Sequence, residues 1–241
     1  MFMNHKYLYT IITVTYNCVK SLEGTILSVI SQDCGSLEYI IIDGGSTDGT
    51  LDIIKKYESK ISHWISEPDH GIYDAMNKGL SLAKGKWINF MNSGDSFATS
   101  STIRELFTPM PSDTILCIYG NHIFKKKDKS TIIKALPPNS LKKRIAFCHQ
   151  AVFLNNFGIR FRSDLKICAD YAMFREIYEK YGDFVFCRRP IVVSINDAYG
   201  ISSVKNRLRR QENISIIALY DKKKALYEKI KFFFAKLLGR I

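Results

Sequence analysis

YTIITVTYNCVKSLEGTILSVISQDCGSLEYIIIDGGSTDGTLDIIKKY, residues 9–57, is the stretch that decides the fold. Tyr9–Thr15 is rich in β-branched residues and short enough for a buried strand, and it ends at Tyr16-Asn17, where the chain should turn. Val19, Leu22, Ile26, Val29 and Ile30 then recur at helical spacing. A second strand, Tyr39–Ile42, runs into the polar segment Asp43-Gly44-Gly45-Ser46-Thr47-Asp48-Gly49-Thr50, after which Leu51–Tyr57 resumes a helical pattern.

Outward from this core the alternation continues, with a strand at Ile61–Ser66, a helix over Tyr73–Ala83, and a strand at Trp87–Met91 that stops at Asn92-Ser93-Gly94-Asp95. Repeated strand–helix alternation predicts an α/β domain with a mostly parallel central sheet flanked by helices. In such sheets ligands lie beyond the carboxyl ends of the strands, which gathers three polar turns, Thr15–Asn17, Asp43–Asp48 and Asn92–Asp95, into one crevice. Taken alone, the Gly-rich segment also suits an ordinary surface turn. The dinucleotide fingerprint is absent, and Gly79–Lys86 fails as a phosphate loop because Trp87 stands where a hydroxyl is required.

Beyond Ser100 the pattern becomes mixed. Lys125–Lys129 reads as a hairpin tip, Tyr171–Tyr181 as a helix, and Phe184–Cys187 and Ile191–Ile195 as strands flanking Arg188-Arg189-Pro190. From Val204 the chain turns basic and helical, so residues 1–203 read as one domain and 204–241 as a basic amphipathic helical extension.

A chain of 241 residues with 46% hydrophobic content can bury a full-sized core. Six cysteines, scattered without zinc-site or redox spacing, read as reduced core residues. No apolar run approaches the roughly 18 residues that span a bilayer, and Met1–Lys6 lacks a secretory layout. The expectation is a cytoplasmic protein. The net charge of +12 is segregated: −4 over residues 1–124, +7 over 125–144, +1 over 145–203 and +8 over 204–241. Such segregation points to an anionic partner, whether nucleic acid, an anionic membrane or a phosphate-bearing substrate.

Six collinear motifs carry a resemblance. They are Thr13-Val14-Thr15-Tyr16-Asn17, the run from Asp43 to Thr50, Glu67-Pro68-Asp69-His70-Gly71-Ile72-Tyr73-Asp74-Ala75-Met76-Asn77-Lys78-Gly79, Asn92-Ser93-Gly94-Asp95, Cys148-His149-Gln150-Ala151-Val152-Phe153 and Ala169-Asp170-Tyr171. In this order the chain resembles the family 2 glycosyltransferases of GT-A fold, especially the bacterial branch that builds colanic acid and O-antigen polysaccharides.

The resemblance implies transfer of a sugar from a nucleotide-sugar donor, with 1–100 as the donor-binding half and 101–203 as the acceptor-binding half. It assigns Thr15, Tyr16, Asn17, Asp43, Asp69, Asn92 and Ser93 to the donor nucleotide, with Tyr16 packing on the base. Many relatives carry two successive aspartates where this chain has Asp43-Gly44, and the second reads uracil, so UDP is the preferred donor diphosphate and GDP the rival. Asn92–Asp95 stands at the family's metal motif, where Mn2+ or Mg2+ neutralises the diphosphate and Asp95 supplies the carboxylate. A helix cap is the structural alternative for Asp95. Asp170 aligns with the catalytic base, removing the acceptor hydroxyl's proton, and a first-turn or capping carboxylate is its alternative. His149 is assigned to the acceptor or diphosphate, against a hydrogen-bonded core histidine.

In the C-terminal segment Leu226, Ile230, Phe233, Phe234, Leu237 and Ile241 share one helical stripe, flanked by Lys222, Lys229, Lys231 and Lys236. That pattern suits a helix lying in a membrane interface, and equally one packed on its own domain or a second subunit. With a lipid-linked saccharide, polyprenyl-diphosphate in type, as the implied acceptor, the resemblance places the protein at the inner face of the cell membrane. Two other classes stay open. A nucleotidyltransferase would carry an early Gly-rich basic loop, and Thr15–Val19 has neither Gly nor a basic residue. A nucleic-acid-binding module would interleave aromatic and basic side chains, whereas Phe232, Phe233 and Phe234 are contiguous, so no nucleic acid is expected.

Overall fold

The computed structural model describes residues 6–126, 129–197 and 206–237. Strand β1 (Tyr7–Thr15) lies between β2 (Leu37–Asp43) and β4 (Gly85–Phe90), both parallel to it, and β3 (His63–Ser66) adds parallel to β2. Helices α1 (Leu22–Ile30), α2 (Thr50–Lys56) and α3 (Ile72–Leu82) make the crossovers. Successive residues of a strand face opposite sides, so Ile12, Ile40, Ile42 and Ile88 enter one core while Ile11, Tyr39, Ile41 and Trp87 enter the other. Covering on both faces explains why these strands read as continuous apolar runs.

The second half is mixed. Short β5 (Ser96–Phe97) and helix α4 (Thr102–Leu106) lead to β6 (Cys117–Lys126), which forms a hairpin with β7 (Lys129–Ile133). β8 (Val152–Asn155) is antiparallel to both β4 and β6 and joins the two halves into one nine-stranded sheet, ordered β3-β2-β1-β4-β8-β6-β9-β5 with β7 off this path beside β6. Helix α5 (Ala169–Tyr181) precedes β9 (Phe186–Asp197).

Where the sequence suggested two strands around Arg188-Arg189-Pro190, β9 is one strand that passes through them. Its pairing to β6 slips between Tyr119 and Asn121, so Pro190 sits where the ladder needs no donor. Gly120 faces this bulge: a Cβ there would stand 2.7 Å from the Ile191 carbonyl oxygen, which only glycine avoids.

Two helices close the described chain, α6 (Asn206–Tyr220) and α7 (Lys222–Leu237). Ile216 of α6, 1% exposed, belongs to the same core as β1 and α5, so this helix is packed onto the main domain. α7 turns inward Ala225 and Phe232, which pack with Ile214, Ile217 and Ala218 of α6. The predicted stripe faces away from that contact: Leu226, Ile230 and Phe233 are exposed, while the side chains of Phe234, Lys236 and Leu237, and residue Ile241, lie outside the described set. Among the described residues no helix is long and apolar enough to cross a membrane.

Candidate active site

The parallel strands end side by side, with Thr15 in register with Asp43, and the polar turns that follow them are stitched together. Asn17 takes a left-handed conformation, φ 50°, which Asn tolerates better than most residues. Its N–H donates to Ser46 Oγ at 2.8 Å, and its Oδ1 accepts the Thr47 N–H at 2.9 Å. Cys18 N–H donates to Thr50 Oγ1 and Val19 N–H to Asp48 Oδ2, at 2.9 and 3.1 Å. The Thr50 hydroxyl, ahead of the backbone N–H groups of Val19 and Thr50, holds the Asp48 carboxyl below its usual range.

Asp43 is fully buried, and its carboxylate accepts from Gly45 N–H, Ser46 N–H, Ser46 Oγ and Ser66 Oγ. It therefore shapes the turn from inside. What the turn presents outward is the Tyr16 ring, 61% exposed, and the space above Gly44. A Cβ on Gly44 would meet Asp69 Oδ2 at 2.5 Å and Tyr16 Cδ2 at 3.3 Å. The Asp69 carboxylate thus fills the volume that a side chain at position 44 would occupy, with its other oxygen held by Gly71 N–H at 2.8 Å. Sequence reading placed Asp69 in the crevice without revealing that it stands in for the missing side chain.

At the end of β4, Ser93 N–H bonds the Val14 carbonyl at 3.2 Å, so this turn abuts the end of β1. Asp95 N–H closes the turn onto Asn92 O at 3.0 Å, and β5 follows at once. No helix begins there, which removes the cap alternative for Asp95. Thr15 Oγ1, Asn92 Oδ1 and Ser93 Oγ are buried without a hydrogen-bond partner among the described residues. Orphaned buried oxygens are rare and ask for a missing partner. No cluster of three His, Cys, Asp or Glu side chains among the described residues would hold a metal by itself. One carboxylate with neutral oxygens does fit a hard divalent cation that shares its shell with phosphate oxygens and water.

The turn before β8, with Cys148, His149 and Gln150, faces this motif from across β4. The Cys148 thiol, pushed well above its usual pKa by burial and the nearby Asp95 carboxylate, stays protonated and donates to Gln150 Oε1 at 2.7 Å. Gln150 Nε2 is thereby left to donate to Asp95 Oδ2 at 2.6 Å. His149 Nε2 lies 3.1 Å from the Asn92 amide nitrogen and Nδ1 lies 3.2 Å from Asp170 Oδ2. An amide that donates to Nε2 leaves the ring proton on Nδ1, directed at the carboxylate.

Asp170 is the second residue of α5, 9% exposed, and its Oδ1 accepts the Tyr171 N–H at 2.7 Å. It is a first-turn carboxylate of α5, and Cys168, not Asp170, holds the cap position. Tyr73 OH lies 3.4 Å from Asp170 Oδ1 and donates to Ile167 O at 2.6 Å; burial, then the Asp170 charge, pushes its pKa far up. His149 thus bridges Asn92 and Asp170, an arrangement that fits both a crevice residue and a hydrogen-bonded core histidine. Gln150 and Tyr73, both inside quoted motifs, are neighbours that the sequence offered without a role.

The family model described as glycosyl transferase family 2 matches residues 10–182. The chain is 28% identical over 214 residues to a PGL/p-HBAD biosynthesis glycosyltransferase of Mycobacterium bovis, covering 81% of this chain and 79% of that protein. It is 31% identical over 179 residues to the Escherichia coli UDP-Glc:alpha-D-GlcNAc-diphosphoundecaprenol beta-1,3-glucosyltransferase WfaP, covering 72% and 71%. Among solved structures, the mannosyltransferase PcManGT of Pyrobaculum calidifontis, in complex with GDP-Man and Mn2+, superposes with a TM-score of 0.67 at 17% identity, over 95% of this chain and 70% of that one.

Proposed function

The chain belongs to glycosyl transferase family 2 and is a glycosyltransferase of GT-A fold, and from that premise we propose that it moves a sugar from a UDP-sugar to a lipid-linked saccharide, with inversion. The observation that carries this reading is the pair His149-Gln150, whose adjacent side chains hold Asp170 and Asp95 at one crevice. A carboxylate that accepts a proton and a carboxylate that meets a diphosphate must lie on the two sides of the same anomeric carbon.

On this reading Tyr16 packs on the base and Asp69 Oδ2 accepts from its N–H edge, a contact that burial against Tyr16 favours. Thr15, Asn17, Asn92 and Ser93 face the ribose and diphosphate, and Asp43 keeps the turn in shape. A divalent ion, Mn2+ or Mg2+, held by Asp95 with Asn92 would neutralise charge on the diphosphate. Asp170 takes the proton of the acceptor hydroxyl as its oxygen bonds to the anomeric carbon and the bond to the diphosphate breaks. His149 keeps the Asp170 carboxylate oriented and contributes a polar edge toward acceptor or diphosphate. WfaP, acting on a diphosphoundecaprenol-linked sugar, supports the choice of acceptor class.

The same reading places the protein at the inner face of the cell membrane. Two basic segments distant in sequence meet in space, since Lys224 Nζ donates to the Lys142 carbonyl at 3.2 Å. The exposed Leu226, Tyr227, Ile230 and Phe233 beside Lys222, Lys223, Lys229 and Lys231 suit an anionic bilayer surface. The domain division, 1–203 with an extension from 204, is proposed with the amendment that α6 works with the domain.

A thermal-shift screen of nucleotide sugars with and without Mn2+ tests the donor assignment, because a specific donor raises stability by mass action. UDP-sugars should stabilise in the presence of metal. Stabilisation by GDP-sugars alone would replace the base, and no response to any nucleotide sugar would overturn the donor site.

A further inference from the structure

Helix α6 carries one carboxylate, Glu212, among its basic residues, and that carboxylate is 7% exposed. Its Oε1 accepts the Lys166 N–H at 2.8 Å, and its Oε2 accepts the N–H groups of Ile167 and Cys168, each at 2.9 Å. These three amides are consecutive and lie immediately before α5, and among the described residues no backbone carbonyl accepts from them. A single acceptor-only group with two oxygens can satisfy three adjacent donors; a glutamine offers one oxygen and turns an NH2 against them. The same segment is held from its other side, where the Ile167 carbonyl receives the Tyr73 hydroxyl at 2.6 Å. Cys168 adds a thiol contact to the Arg209 carbonyl at 3.6 Å, a second link to α6.

We propose that Glu212 is a positioning residue for the active site, fixing the backbone that leads into Asp170 so that the His149–Asp170 pair has one geometry. Helix α6, the first of the two helices that follow β9, is then a working part of the catalytic unit. This inference rests on the reading of Asp170 as the base. One residue, Ala169, separates the clamped Cys168 from Asp170, so freedom at 166–168 passes directly to the carboxylate. A displacement of about 1 Å at a reacting group can cost on the order of a hundredfold in rate.

The test uses the full chain with Glu212→Gln, Glu212→Asp and Asp170→Asn, and reads the imidazole nitrogen spectrum of His149, hydrogen exchange at amides 166–171, and UDP affinity. Asp170→Asn should change the His149 signals by removing the carboxylate partner; unchanged signals would sink the Asp170 reading itself and not the clamp alone. Glu212→Gln should move the His149 signals toward those of Asp170→Asn and speed exchange at 166–171, leaving UDP affinity within about twofold. With the donor and acceptor pair that supports turnover in the wild type, kcat should fall roughly tenfold to a hundredfold at unchanged donor KM. On an Asp170→Asn background Glu212→Gln should cost nothing further. If Glu212→Gln does not fold, the shorter Glu212→Asp, which retains the charge and cannot reach all three amides, decides. Wild-type His149 signals and exchange in a folded Glu212 variant would overturn the proposal, as would an additive loss in the double variant.

Discussion

His149 Nδ1 lies 3.2 Å from Asp170 Oδ2, a contact across 21 residues of sequence that joins the turn before β8 to the first turn of α5. The next residue, Gln150, holds Asp95 at 2.6 Å. One short turn therefore sets the spacing between the carboxylate assigned to the metal and the carboxylate assigned to the proton, which makes Cys148-His149-Gln150 the ruler of the site. Each end of that ruler can be tested separately.

Asp95→Ala should abolish most of the gain in UDP affinity that Mn2+ gives the wild type, because the other oxygens of the motif are neutral. Calorimetry of UDP with and without Mn2+ checks it. Equal metal enhancement in both proteins would remove Asp95 from the site.

Gly44→Ala should push the Asp69 carboxylate away from Tyr16, since the new Cβ would lie 2.5 Å from Asp69 Oδ2. The clash involves the far end of a side chain, so the melting temperature should fall by only a few degrees. UDP affinity should fall by roughly tenfold, the loss of about one good hydrogen bond to a charged group. Asp69→Ala should give a similar loss, and the two changes together little more than either alone. Full UDP affinity in Gly44→Ala would take Asp69 out of base recognition.

Asp43→Ala should act on folding before it acts on binding. It strands donors from Gly45, Ser46 and Ser66 in a fully buried site, at a cost of about 3–5 kcal/mol. For a chain of this size that lowers the melting temperature by roughly 6–20 °C. A stable variant that has merely lost nucleotide affinity would mean that the carboxylate contacts the ligand and does not shape the turn.

Removing residues 222–241 should leave a folded, nucleotide-binding domain, because the main core ends with Ile216 and the clamp of Glu212 is retained. Flotation with anionic vesicles should weaken, by the loss of the exposed apolar stripe and its lysines. Unchanged flotation, or an unfolded product, would return α7 to a packing role.

Much of this was legible because strand–helix alternation fixes where polar turns must gather. Thr15–Asn17, Asp43–Asp48 and Asn92–Asp95 could be assigned to one crevice from the pattern alone, and β1, β2 and β4 bring them there. The hairpin at Lys125–Lys129 was readable from its flanking β-rich runs, although residues 127 and 128 lie outside the described set. What was not legible depends on contacts distant in sequence. Nothing local marks Glu212 as a buried acceptor, beyond its being one carboxylate in a basic helix. Asp69 filling the space over Gly44 requires knowing how two loops face each other. β9 runs through Pro190 because β9 bulges there, opposite Gly120 of β6, and a proline read alone argues for a break.

The most direct measurement is sugar transfer by Asp170→Asn beside matched calorimetry and thermal unfolding. Asn keeps the shape and an oxygen for the Tyr171 N–H but cannot accept the acceptor's proton. Donor affinity and melting temperature should stay close to wild type while transfer falls by roughly a hundredfold to ten-thousandfold. Near-normal transfer by the folded variant would contradict the account.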